Sequence, residues 1–390
     1  MKKIFLFILI LNFLQELKSQ EFCYEHETEI CSYLEEKSFK LPKEIKQFAK
    51  KINASLNYSM FFDVPFLLNT KNIRKYLLKP KYYKSDIGKI INIETEDGNN
   101  VECIYFNRNS DKLIVIGGGF TNEKELMAPF VHIFDCDIIL FDYRGHGIHN
   151  GKYYNPKTWR INPIHRMFNV NTRKTKLGNE EEKDVIAVVN QFRNIKNYKK
   201  VFGLGVCYSA LIFIKSQSIW LEKTKTKLFD KIILDGCWLS LKKFIKKLSK
   251  DIKLLFSTQH GGWKNNWLNK KDWFQKTLIW IAQKIFTVKF DSVSILEYLE
   301  NIKDTPILYF YGKDDLLIKR KEFETIWNNL NTEKTAIITS KPHVRNHIKE
   351  KELYKLACNL FLKLPHKNFI NCLKNKSFLV KHYTDELLNY

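Results

Sequence analysis

One stretch decides the fold of this chain: Lys200-Val-Phe-Gly-Leu-Gly-Val-Cys-Tyr-Ser-Ala-Leu-Ile-Phe-Ile214. Its first residues form a short apolar run that suits a buried strand, and its last residues form an apolar segment that can open a helix. Between them lies a tight turn with Cys207 at its apex. Gly205 and Ser209, two positions before and after the apex, are small enough to let strand and helix backbones approach closely. The pattern predicts a strand, a sharp turn and a helix that together present one nucleophilic thiol.

Apolar strands recur on both sides of this stretch and alternate with segments of helical periodicity. The predicted strands lie at 89–95, 101–106, 112–116, 137–141, 201–204, 231–234, 306–311 and 335–339. A turn at 96–100 joins the first two strands into a hairpin. The alternation that follows predicts an α/β fold with a mostly parallel, twisted sheet of about eight strands and helices on both faces. In such a sheet, functional residues are expected just past the carboxyl ends of the strands.

Short motifs follow several of these strands or open the helices between them. They are Gly117-Gly-Gly-Phe120, Phe141-Asp-Tyr-Arg-Gly-His-Gly147, Glu181-Glu-Lys-Asp184, Gly312-Lys-Asp-Asp315 and Pro342-His343. Together with the turn at 205–209, they occur in the order seen in the α/β-hydrolase superfamily, which this chain resembles over residues 88–362. The resemblance implies the α/β-hydrolase fold and the order nucleophile, acid, histidine. A cysteine nucleophile is similar to that of dienelactone hydrolases, whereas the Phe-Asp-Tyr-Arg-Gly segment resembles esterases, thioesterases and peptidase-like members.

The rhythm of strands and helices divides the chain into segments. The hydrolase core is predicted at 88–237 and 304–364. Residues 238–303 have helical, amphipathic periodicity with several Trp and many Lys, which predicts a helical cap inserted after the sixth strand. Residues 20–87 form a predicted N-terminal extension, and residues 365–390 a C-terminal tail.

Residues 1–19 have the layout of a secretory signal peptide, with two lysines, an apolar run and a small residue, Ser19, before the expected cleavage point. This layout predicts export, either secreted or periplasmic. An uncleaved membrane anchor is the alternative, although the apolar run is short for a bilayer. Of the eight cysteines, Cys23 and Cys31 are the best candidates for a disulfide in an exported protein.

The chain is strongly basic, with a net charge of +23. Its lysines are scattered and no nucleic-acid-binding motif accompanies them, so no nucleic-acid partner is predicted. Lys-rich amphipathic helices with Trp in the cap allow a peripheral membrane contact. No His/Cys spacing of a zinc site is present, and neither glycine-rich segment completes a phosphate-binding or dinucleotide motif. The sequence therefore predicts neither a metal nor a cofactor.

The three reactive roles fall on residues that follow strands. Cys207 is the predicted nucleophile, because a thiolate is intrinsically strong and a helix N-terminus favours it; a plain buried cysteine is the alternative. The Gly-x-x-Asp spacing common in the superfamily selects Asp315 as the acid, with Asp314 in reserve. His343 is the predicted base, because it follows the last core strand sooner than His347, which is kept in reserve.

Backbone N–H groups are the predicted donors to the oxyanion. One belongs to Tyr208, the residue after the nucleophile, and the other to Gly119 or Phe120 in the triple-glycine loop. Arg144 and His146 are interpreted as parts of a structural turn. Asp235 and Cys237, at the end of another strand, are kept only as supporting candidates.

These residues predict a hydrolase that cleaves an ester, thioester or related acyl bond of a small-molecule substrate through an acyl-cysteine intermediate. A peptidase-like member of the same fold is the nearest alternative. A different class is a catalytically weak, hydrolase-like protein that binds a ligand, a partner or a membrane surface.

Overall fold

The computed structural model describes residues 88–120, 123–149, 152–153, 174–250, 272–315, 317–341, 343–375 and 386–389. The predicted signal peptide, the N-terminal extension and the cysteine pair at its start lie outside these ranges, as does the middle of the predicted cap.

A single large sheet organises the described residues. Its strands are accompanied by a separate two-stranded ladder, β5 and β6. The strands are β1 Gly88–Glu94, β2 Asn100–Phe106, β3 Lys112–Gly117, β4 Asp137–Phe141, β5 Ile148–His149, β6 Lys152–Tyr153, β7 Lys200–Val206, β8 Lys231–Asp235, β9 Ile307–Gly312, β10 Lys334–Thr339 and β11 Glu386–Asn389.

The large sheet has the order β1-β2-β4-β3-β7-β8-β9-β10-β11. The six strands from β4 to β10 in this order run parallel to one another. The hairpin β1–β2 packs antiparallel onto β4, and β11 packs antiparallel onto β10. This topology confirms the predicted α/β fold with a mostly parallel sheet. The described residues add a ninth strand, because β11 comes from a segment interpreted as a tail.

Nine α-helices occur among the described residues, and two 3-10 helices, at Lys124–His132 and Phe290–Ser292, accompany them. The α-helices are α1 Glu182–Ile195, α2 Tyr208–Thr224, α3 Leu241–Lys250, α4 Asp272–Phe286, α5 Leu296–Leu299, α6 Arg320–Asn329, α7 Asn346–Lys349, α8 Lys351–Lys363 and α9 His366–Asn375. Within the described ranges, none of them combines the length and apolar character that a membrane span requires.

The centre of the sheet is buried on both faces, as the near-continuous apolar strands require. Ile114 and Val115 of β3 and Ile138 and Ile139 of β4 are all fully buried. The strand register determines which loops lie together at the carboxyl edge of the parallel strands. Gly117 of β3 pairs with Gly205 of β7, so the triple-glycine loop leaves the sheet beside the Cys207 turn. The loops after β8, β9 and β10 leave from the same edge, because these strands are parallel to β7.

Candidate active site

Cys207 forms the apex of a sharp turn between β7 and α2. Its backbone has φ +54° and ψ −105°, a left-handed conformation that a non-glycine residue adopts only when its surroundings impose it. Gly205 explains how the turn closes: a Cβ on this residue would lie 2.6 Å from the Cα of Ala210 in the helix. The predicted strand, turn and helix are therefore present.

Ser209, which occupies the position of the usual second glycine, joins the turn to the triple-glycine loop. Its hydroxyl donates a hydrogen bond to the carbonyl of Gly118. A Cβ on Gly117 would lie 2.5 Å from the Ser209 Oγ, so the larger residue at 209 is accommodated by the absence of a side chain at 117. Phe120, at the end of the loop, packs its ring 5.6 Å from that of Tyr208. The residues predicted to supply the oxyanion donors thus lie beside the turn.

The Cys207 side chain is almost enclosed, at 8% exposure. Its backbone N–H donates to the Asp235 carbonyl at 2.7 Å, which fixes the apex against β8. Its sulfur accepts a hydrogen bond from the indole Nε1–H of Trp238 at 3.2 Å. Sequence reasoning did not select Trp238, although its position three residues beyond the end of β8 was the available signal.

Asp315 and His343 are in direct contact. The Nδ1–H of His343 donates to Asp315 Oδ2 at 2.5 Å, and both side chains are buried. Asp315 Oδ1 accepts the backbone N–H groups of Leu317 and Ile318 at 2.7 and 2.8 Å. Because both carboxylate oxygens are bonded, the carboxylate is held in one orientation and fixes the tautomer and direction of the imidazole.

The electrostatics of His343 favour the imidazolium. Burial by itself lowers the pKa of this residue, but the Asp315 carboxylate and, after it, Cys207 raise the pKa to about 10. The other ring nitrogen, Nε2, is buried and makes no hydrogen bond of ordinary geometry to a described atom. Catalytic contacts of this kind often tighten only when substrate is bound. One nitrogen of the His343 ring is thus hydrogen-bonded to Asp315, and Cys207 helps to raise the pKa of the same ring.

The two reserve residues lie elsewhere. Asp314 is exposed at the surface, next to Asp315 in the loop after β9. His347 is buried in α7, where its ring stacks on Phe130 with centroids 4.5 Å apart. The structure therefore brings His343 together with Asp315, and places His347 in an aromatic cluster.

The residues that follow β8 pack closely against the His343 ring. Gly236 has φ +70°, and a Cβ there would lie 2.6 Å from the Cε1 of His343, so a side chain at this position would displace the imidazole. The neighbouring Asp235 carboxyl is also buried. Burial raises its pKa to about 7, against the opposing effect of His343. Cys237, next in sequence, is buried and accepts a bond from the Tyr309 hydroxyl at its carbonyl.

Arg144 and His146 belong to the turn after β4, as interpreted from the sequence. The Arg144 guanidinium binds Asp184 and Asp97, with Nη2–Oδ1 and Nη1–Oδ2 distances of 2.8 and 2.7 Å. His146 directs Nδ1 at the Arg144 carbonyl and packs 5.7 Å from Phe120. Among the described residues, no group of three or more His, Cys, Asp or Glu side chains is arranged to hold a metal ion.

This sheet order, with a strained turn at Cys207 after β7 and a carboxylate–histidine pair after β9 and β10, is the α/β-hydrolase fold. Two crystal forms of the esterase Pf2001 from Pyrococcus furiosus are similar to the chain. Their identities are 21% and 22%, and the TM-scores are 0.52 and 0.51. The matches cover 73% of this chain and 93% and 95% of the esterase. No protein-family model matches the sequence, and no curated protein matches it.

Proposed function

We propose that this protein is a hydrolase of ester, thioester or related acyl bonds that works through an acyl-cysteine intermediate. Cys207 is the nucleophile, His343 the acid and base, and Asp315 the residue that orients the imidazole. The observation that supports this most strongly is the 2.5 Å contact between Asp315 and His343, combined with the effect of Cys207 on the same imidazole. The similarity to an esterase is consistent with it.

In the proposed reaction, the Cys207 thiolate attacks the acyl carbon while the His343 imidazolium stands ready. The new C–S bond places a negative charge on the acyl oxygen, which the N–H groups of Tyr208 and of Gly119 or Phe120 stabilise. When this intermediate collapses, the bond to the alcohol or thiol breaks and His343 gives its proton to the leaving group. The neutral imidazole then takes a proton from water, whose oxygen attacks the acyl-cysteine, and the thiolate leaves.

The decisive experiment compares Cys207→Ala with Cys372→Ala, a change at a half-exposed cysteine outside the site. With p-nitrophenyl acetate as substrate, Cys207→Ala is expected to lower kcat/KM by roughly 10³-fold or more, because nucleophile and base act as a unit. Cys372→Ala is expected to stay within about twofold of the wild type, as surface changes away from the site usually do. Mass spectrometry of the quenched wild-type reaction should find the acetyl group on the Cys207 peptide.

Retention of the wild-type rate by Cys207→Ala would overturn the proposal. Absence of any turnover in the wild type towards esters, thioesters and peptide amides would favour the ligand-binding class. Turnover of amides in preference to esters would favour the peptidase-like alternative.

A second candidate property is peripheral contact with an anionic membrane surface, and the exposed face of α4 favours it. Trp273 and Trp280, two turns apart, are each 58% exposed. Lys276 and Lys284 are exposed on the same stripe of the helix. Helices that carry Trp and Lys on one face bind at the lipid headgroup region of membranes. Phe286, at the end of α4, packs 6.4 Å from Phe120, which connects this helix to the active-site loop.

Vesicle sedimentation tests this contact. Full-length protein is expected to sediment with phosphatidylglycerol-containing vesicles, and Trp273→Ala/Trp280→Ala to lose most of that binding. Lys199→Gln, at an exposed position outside α4, should leave it intact. Equal binding by the wild type and the double Trp variant would remove α4 as the contact.

Export, predicted from residues 1–19, is likewise proposed, and cleavage after Ser19 is the event to detect.

A further inference from the structure

The indole of Trp238 donates a hydrogen bond to the sulfur of Cys207 at 3.2 Å. Trp238 follows β8 and is buried at 1% exposure. Its ring stacks on Phe244 of α3 with centroids 3.7 Å apart and planes 15° from parallel. It also packs 5.7 Å from the ring of Tyr208. The indole is therefore held in place before any substrate arrives.

The chemistry of this contact is directional. An indole Nε1–H can only donate, so the sulfur must be the acceptor. A thiolate accepts a hydrogen bond better than a neutral thiol, because charge strengthens the bond. A donor that is already in position stabilises a developing anion without reorganising, and a nearly dry site strengthens the effect.

We propose that Trp238 is a further catalytic residue, whose indole N–H stabilises the Cys207 thiolate. The thiolate occurs twice in the reaction, as the attacking group and as the group that leaves when the acyl-cysteine is hydrolysed. Trp238 serves both steps from one side of the sulfur, while His343 supplies charge and protons. The catalytic part of this inference rests on the proposed function, whereas the hydrogen bond to the sulfur does not.

The test measures alkylation of Cys207 by iodoacetamide as a function of pH, with each cysteine followed as its own peptide by mass spectrometry. In Trp238→Phe, which keeps an aromatic ring but has no donor, the pH of half-maximal alkylation should rise by about one unit. Below that midpoint, alkylation should be about tenfold slower. The matched control is Trp220→Phe on α2, where the same atoms are removed from an indole whose Nε1 has no hydrogen-bond partner among the described residues.

Superimposable profiles for the wild type and Trp238→Phe would overturn the inference and leave Trp238 as a packing residue. Alkylation needs no turnover, so this result is separable from failure of the proposed function. If Cys207→Ala abolishes hydrolysis but Trp238→Phe leaves the profile unchanged, only the role of Trp238 is lost. If Trp238→Phe moves the profile in a protein without hydrolase activity, only the proposed function is lost.

A second measurement does not depend on the folding of Trp238→Phe. In protein labelled with ¹⁵N at the indoles, one of the eight Trp Nε1–H signals should move when Cys207 is alkylated. The same treatment of Cys207→Ala should leave that signal in place. If no indole signal responds to alkylation in the wild type, the hydrogen bond is absent in solution and the inference fails.

Discussion

Two buried clusters of charge lie on the same edge of the sheet, and they differ in how completely their polar atoms are bonded. In the turn after β4, every nitrogen of the Arg144 guanidinium donates to a carboxylate of Asp97, Glu180 or Asp184. In the loop after β10, His343 bonds Asp315 through Nδ1, while Nε2 makes no conventional hydrogen bond to a described atom. Burial and pairing are common to both clusters. What distinguishes the second is that only one of its ring nitrogens is held by a carboxylate and that Cys207 acts on the same imidazole.

The first cluster explains why the conspicuous arginine is structural. A planar guanidinium with its donors all used has nothing to offer a substrate, and its nitrogens fix the turn to α1 and to the β1–β2 hairpin. The second cluster is smaller and less completely bonded, and it joins an imidazole to a thiol, which is the pairing that the proposed proton transfers require. Three experiments break or sharpen this contrast.

The largest effect is expected from neighbouring aspartates in one loop. Asp315→Asn should lower kcat/KM on the order of 10³-fold, because the amide no longer fixes the His343 tautomer or stabilises the imidazolium. Asp314→Asn, one residue earlier and exposed, should change kcat/KM by less than about twofold. Steady-state kinetics on one ester substrate checks both variants. Equal losses in the two variants would mean that the loop, and not the Asp315 carboxylate, carries the effect.

A smaller effect, on stability instead of chemistry, is expected from the Arg144 cluster. Arg144→Met leaves the buried Asp184 carboxylate without its partner and should lower the free energy of unfolding by about 3 to 5 kcal/mol. Activity per folded molecule should stay near the wild-type value, since the guanidinium touches no reacting group. Urea unfolding and kinetics at low temperature measure the two quantities. A stable variant with lost activity would reverse the assignment of the two clusters.

The third effect is a pH dependence of stability that should have opposite signs in the two clusters. The pKa of His343 is raised to about 10 in the folded protein, from an ordinary value near 6.5. The stabilisation from its protonated form is therefore complete below about pH 6.5 and is lost as pH rises through about 10. The stability difference between the wild type and His343→Gln should shrink from pH 7 to pH 10. The difference for Arg144→Met should instead grow above about pH 7, because burial raises the pKa of Asp184 to about 7 and its carboxylate then ionises without a partner.

Much of the fold could be predicted because its determinants are local. The strands after residue 110 are apolar runs that end in glycine or polar motifs, and the turn at Cys207 carries its small residues in sequence. The choice of Asp315 over Asp314 came from the resemblance, which implies a Gly-x-x-Asp spacing, and the structure shows why only one of the two can reach His343: the other is at the surface. Its catalytic role, like that of Cys207, stays a prediction.

What could not be predicted depends on contacts between distant segments. Trp238 reaches Cys207 across 31 positions of the chain, and its place shortly after β8 indicates that it lies near this edge of the sheet but not which atom it contacts. The strand β11 has only four residues, and its pairing with β10 depends on a return of the chain that no local pattern shows. Periodicity predicts neither feature, because each depends on which distant segment the folded chain brings into contact with it.

The pairing of β11 has a consequence for the acid. Glu386, the first residue of this strand, forms ion pairs with Lys313 and Arg320 at 3.1 and 2.9 Å. These two cations lie on either side of the loop that carries Asp315, so the strand β11 holds that loop from outside. Deleting or modifying β11 would therefore disturb the orientation of the Asp315 carboxylate. A variant shortened before Glu386 is for this reason unsuitable for kinetic measurements.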